Sequence, residues 1–112
     1  MSSTTHTAFL GDRERVFDLT PPLVLELERV TGAGIGTLVH RVVPGTCHAK
    51  DLLETIRLAL IGGGETPENA LTTVDTYVQH RPMAEAHALA TAILMTLWAG
   101  KAPAPAVEEA TA

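Results

Sequence analysis

The stretch Leu60-Ile61-Gly62-Gly63-Gly64-Glu65-Thr66 decides how this chain is read. Three consecutive glycines are either a loop that cradles a phosphate or the end of a helix. A P-loop needs Gly-x-x-x-x-Gly-Lys-Ser/Thr, in which the lysine supplies charge and the hydroxyl helps hold magnesium. Here Glu65 follows Gly64, and a carboxylate there repels phosphate. A dinucleotide fingerprint needs Gly-x-Gly-x-x-Gly after a strand. These glycines follow Ala49, Leu52, Leu53, Ile56 and Leu60, apolar residues along one helical face. Gly34 and Gly36 form a lone Gly-x-Gly with no third glycine in place. The pattern therefore predicts a helix stop and a tight turn, because glycine tolerates positive φ.

Further helices appear on both sides of this turn. Thr66-Pro67-Glu68 opens one: threonine caps, proline suits the first turn, and glutamate suits the positive end of the dipole. Its buried side is Ala70, Val74, Tyr77 and Val78, and His80-Arg81-Pro82 interrupts it. A last helix runs from Met83 to Ala99 on Ala86, Ala90, Ile93, Leu94 and Leu97, with Trp98 beside the stripe. Upstream, Thr20-Pro21-Pro22 caps and opens a helix carrying Leu23, Leu27 and Val30, stopped at Gly32. A short helix on Ile35, Leu38, Val39 and Val42 follows and ends at Pro44-Gly45. Glu26 and Glu28 are two apart, do not face each other, and read as a solvated face.

The N-terminal region has a different period. Arg15, Phe17 and Leu19 alternate with Val16 and Asp18, and Gly11-Asp12 supplies turn chemistry. This predicts a β-hairpin over 5–19, which must lie on helices because two strands alone are marginal in water. The expected fold is α+β: a short N-terminal hairpin packed on about five helices, near 21–31, 35–43, 47–61, 67–80 and 83–99. The expected organisation is a loose start over 1–6, one compact domain over 7–100, and a disordered Pro/Ala tail over 101–112.

Composition bounds the chemistry. The formal charge of −5, with eight scattered basic residues, argues against generic nucleic-acid binding. The single cysteine, Cys47, forms no intrachain disulfide and fits a reducing cytosol. No secretory signal and no bilayer-spanning apolar run is visible, so the expected location is cytoplasmic and off the membrane. Five histidines and Cys47 invite a zinc hypothesis, yet no paired ligand spacing exists among His40, Cys47, His48, His80 and His87. Cys47 near a helix start, with His48 or His40 nearby, has the elements of a nucleophile but no orienting third group. No metal, cofactor or catalytic residue is assigned.

Several segments combine into a known order. They are Gly11-Asp12, Phe17-x-Leu19-Thr20, Leu25-Glu26-Leu27-Glu28, Gly32-x-Gly34-Ile35, Ile56-Arg57-x-Ala59-Leu60-Ile61-Gly62-Gly63-Gly64, Tyr77-Val78 and Pro82-Met83-x-Glu85. Over about residues 8 to 100 this order resembles the small tail protein of gene transfer agents, the phage-like particles of alphaproteobacteria. That family is related to tail assembly chaperones of long-tailed phages and is also labelled a tail tube protein. The resemblance implies a non-enzyme acting in tail assembly, with the tape measure protein and the tail tube protein as partners. A chaperone of this kind coats the tape measure, keeps its apolar helices soluble and delivers tube subunits. A built-in, tube-associated component is the alternative, and a small enzyme using Cys47 a more distant one. Leu58, Ile61 and Trp98 lie off or beside the apolar stripes and are the candidate interaction residues; self-association is a further expectation.

Overall fold

The computed structural model describes residues 3–100. Residues 1–2 and the expected Pro/Ala tail over 101–112 lie outside the described residues. A hairpin of β1 (Thr5–Leu10) and β2 (Arg13–Asp18) is followed by five helices. These are α1 (Pro21–Thr31), α2 (Ile35–Val42), α3 (Ala49–Gly62), α4 (Pro67–Tyr77) and α5 (Met83–Ala99). The α+β architecture read from the periodicities is the one observed.

The strands pair antiparallel, with His6 opposite Phe17, Ala8 opposite Arg15 and Leu10 opposite Arg13. That register puts Phe17 and Arg15 on the inner face, where both are buried, and leaves Val16 on the outer one. Two strands cannot bury a face between themselves, and the hairpin does so against α3 and α5. Helix α3 is central: it packs against β2, α1, α2, α4 and α5. Phe17, Leu19, Leu27, Leu38, Ile56, Leu60, Ile93 and Leu94 form a continuous buried cluster. Each such side chain contributes about 1.5–3 kcal/mol on removal from water.

The helix starts are built in different ways. Thr66 caps α4, its hydroxyl accepting from the Asn69 N–H at 3.1 Å. Thr20 stands at the N-cap of α1 but makes no side-chain cap bond, so prolines at the first turn carry that start. Glu28 is not a solvated bystander. Its Oε2 accepts the Ile35 N–H at 2.8 Å, capping α2, whose own N-cap is Gly34. Helix α3 starts at Ala49, where the Asp51 carboxylate reaches back to accept the His48 N–H at 2.9 Å, the carboxylate half of a capping box. Helix α4 stops at Tyr77, short of the expected position 80, as the chain turns toward Pro82.

Candidate functional site

The three glycines divide into two kinds. Only Gly64 has positive φ, at 116°, and open space surrounds its missing side chain. Gly62 ends α3 and Gly63 caps it at φ −83°. An ideal Cβ on Gly62 would sit 1.7 Å from the Asp18 carbonyl oxygen, and one on Gly63 1.9 Å from that of Val16. Hence these two glycines let the end of α3 seat directly on the backbone edge of β2. The turn reading holds for Gly64; for its neighbours the requirement is close approach.

Beside this seat, Arg15 ties the hairpin tip to α4. Its side chain is 5% exposed. Its Nε donates to the Leu10 carbonyl oxygen at 3.0 Å, Nη2 to Asp12 at 3.0 Å and Nη1 to the Thr73 hydroxyl at 3.4 Å. Glu65 lies 3.5 Å from Nη1 and 3.6 Å from Arg13 Nη2. The guanidinium also sits over the Tyr77 ring, 5.7 Å from its centroid, and Tyr77 covers Gly11 so closely that no Cβ fits there. The recess at this point, about 260 Å³, is lined by Arg13, Arg15, Glu65, Asn69, Thr73 and Tyr77 among others. Its basic groups are already held by carboxylates and a carbonyl. It therefore works as an internal tie and is a poor anion site.

A second ion pair fixes α2 to α3. Arg41 donates to both oxygens of Asp51, each at 2.8 Å, and Asp51 also accepts the His48 N–H at 2.9 Å. Burial pushes the Asp51 carboxyl up. The Arg41 guanidinium and the His48 N–H outweigh it and hold the group below the usual carboxylate range. The alternation that sets Arg15 on the face of Phe17 and Leu19 points it inward without naming its partners. No charge spacing marks Asp51 as buried; its one signal is His48-x-x-Asp51 before an apolar run, a capping-box spacing with an unusual first residue.

The apolar surface gathers elsewhere. Thr4, Leu19, Pro21, Val24, Leu25 and Leu97 line an open groove of about 570 Å³ between the start of α1 and the end of α5. Leu25 is 67% exposed on its wall. Trp98, 55% exposed, occupies the same last turn of α5 as Leu97, with its ring edge over Gly36 of α2. Of the three residues singled out from sequence, Trp98 alone is strongly exposed. Leu58 is buried in the core at 2% exposure, so it presents no surface to a partner in this fold. The burying arc of α3 is wide enough to take in Leu58, while Ala49 at its start is exposed. Ile61 is half-buried and packs against the core. Leu25, which the α1 stripe passed over, is the more accessible apolar group.

Cys47 is half-buried beside a shallow hollow of about 320 Å³ that also touches Leu52, Met83 and His87. The His87 Nε2 donates to the Val42 carbonyl oxygen at 2.7 Å, so this ring bridges α5 to α2. His40 bonds within its own helix to the Gly36 carbonyl, and His48 stands at the N-cap of α3, where its N–H donates to Asp51. Among the described residues no three His, Cys, Asp or Glu side chains come together as a metal site. No helix among them is long and apolar enough to cross a membrane.

Comparison with known proteins settles the family. The family model described as phage tail tube protein, GTA-gp10 matches residues 3–100, nearly the whole chain. The chain belongs to that family. No curated protein and no solved structure matches it. The match places the chain among gene transfer agent and phage tail proteins. The functional surface to seek is thus one that meets other tail proteins, and the apolar groove of α1 and α5 is the main candidate.

Proposed function

We propose that the chain is a tail assembly chaperone, a non-enzymatic protein that binds the tape measure protein and recruits tail tube subunits. The observation that carries the reading is the open apolar groove walled by Leu25, Val24 and Leu97, with Trp98 on the adjoining face. A groove of this kind suits the apolar face of an amphipathic helix, docked through side chains at helical spacing. A net charge of −5 favours solubility of the resulting complex. The two-stranded sheet among the described residues supports a chaperone over a tube wall, which needs a larger sheet to close a ring.

Co-expression with the tape measure protein of the same gene cluster tests this. The wild-type chain keeps the tape measure soluble and co-purifies with it. Leu25→Asp, a change at an exposed position, lowers recovery about tenfold while the helical circular dichroism is retained. Equal recovery by both proteins contradicts the reading. The family description as a tail tube protein favours a second reading, a component built into the particle. Purified particles separate the two: a chaperone is absent from them, and a component is present in stoichiometric amount.

A further inference from the structure

The hairpin has two backbone edges, and the geometry points to a use for the outer one. In an antiparallel pair, alternate residues turn both N–H and C=O away from the partner strand. The Val16 and Asp18 carbonyls point at Gly63 and Gly62, so these residues face outward on β2. Their cross-strand partners Thr7 and Thr5, and Phe9 opposite Glu14, face outward on β1 by the same alternation. Thr5 is buried at 5% exposure, so the accessible edge runs from Thr7 to Phe9. Among the described residues nothing else hydrogen-bonds the backbone there.

We propose that β1 is a pairing edge whose occupant is β1 of a second copy of this chain, antiparallel across a two-fold axis at Ala8. Thr7 then exchanges reciprocal N–H···O=C bonds with Phe9 of the second copy, and Phe9 with the second copy's Thr7. The two Ala8 residues form the close, non-hydrogen-bonded pair at the axis, where Cα atoms stand about 4.5 Å apart and a small side chain fits.

Three observations select a second copy. The edge is self-complementary in this register, since outward residues are placed symmetrically about Ala8. β1 carries no Lys, Arg, Asp or Glu, so two copies meet without like-charge repulsion despite the overall charge of −5. Edges that avoid pairing usually carry such charges or a proline. The pairing also covers exposed apolar surface. Phe9, 70% exposed, enters the same outer-face row as Thr7 and Val16 of the other copy, and Val16 is 41% exposed.

The test is amide hydrogen exchange and sedimentation of the full chain over about a hundredfold range of concentration. The Thr7 and Phe9 amides slow by about tenfold or more as the protein is concentrated, in step with dimer formation, while Ala8 stays protected throughout. Thr7→Pro removes only an outward N–H, and it yields a monomer with unchanged circular dichroism. Phe9→Glu, at an exposed side chain, gives the same result if the proline variant fails to fold. Concentration-independent exchange at Thr7 and Phe9 overturns the proposal. So does a monomeric wild type, persistent dimers in the folded variants, or protection that appears only when another tail protein is added. Leu25→Asp leaves the dimer intact, which keeps this test separate from that of the groove.

Discussion

The two edges of the hairpin are treated in opposite ways. The edge of β2 is sealed, because Gly62 and Gly63 bring the end of α3 onto the carbonyls of Asp18 and Val16. Among the described residues nothing pairs with the edge of β1 from Thr7 to Phe9. Charge is distributed against the usual expectation. The sealed strand carries Arg13, Glu14, Arg15 and Asp18, and the open strand carries no Lys, Arg, Asp or Glu. Two of those charges work inward, since Arg15 and Arg13 bind Glu65 just past the glycines. The contrast teaches that glycines and arginines here fasten the hairpin to the helices, while the uncharged strand is left available.

The largest effect is expected where the seal is broken. Gly62→Ala forces a Cβ into the Asp18 carbonyl, and neither backbone can yield without parting β2 from α3. Urea unfolding should show a loss of about 3 kcal/mol or more. Next is the tie beside it. Arg15→Met removes the bonds to Leu10, Asp12 and Thr73, and should cost about 2 kcal/mol in the same assay.

A control remote from both edges is Asp51→Asn, with an expected loss of about 1–2 kcal/mol at neutral pH. Its pH dependence has a definite sign. The folded-state pKa of Asp51 is depressed, so its contribution is full above the ordinary carboxylate value of about 3.9. The contribution is lost as pH falls through the folded value, so wild type and variant converge in stability below about pH 4. The smallest effect belongs to the open edge: Thr7→Pro should change monomer stability by no more than about 0.5 kcal/mol, read by thermal melting.

The fold was legible because its signals are periodic. Phe17 and Leu19 alternating with Val16 and Asp18 gave the hairpin, and i, i+3, i+4 stripes ending at Gly32, Pro44-Gly45 and Gly100 gave the helices. What stayed hidden depends on approach in three dimensions. Nothing in Gly-Gly-Gly separates a glycine needed for positive φ from one needed because a strand passes within contact. Leu58 sits off the narrow stripe yet is buried, because α3 is surrounded by neighbours on several sides. Leu25 sits beside a stripe yet is exposed, because α1 lies at the edge of the molecule and packs only through Leu27 and its flanks. The groove arises where α1, the start of the hairpin and the last turn of α5 meet, a junction of segments far apart in the chain.

The glycine run is a seat for a strand edge, and the measurement that tests this compares two adjacent positions. Gly63→Ala and Gly64→Ala change the same atom in neighbouring residues, one facing the Val16 carbonyl and the other facing open space. Side-by-side urea unfolding should give a loss of about 3 kcal/mol or more for the first and a smaller loss, about 1–2 kcal/mol from the strained φ alone, for the second. Equal losses, or a larger one at Gly64, would contradict the seat and return the run to a simple turn.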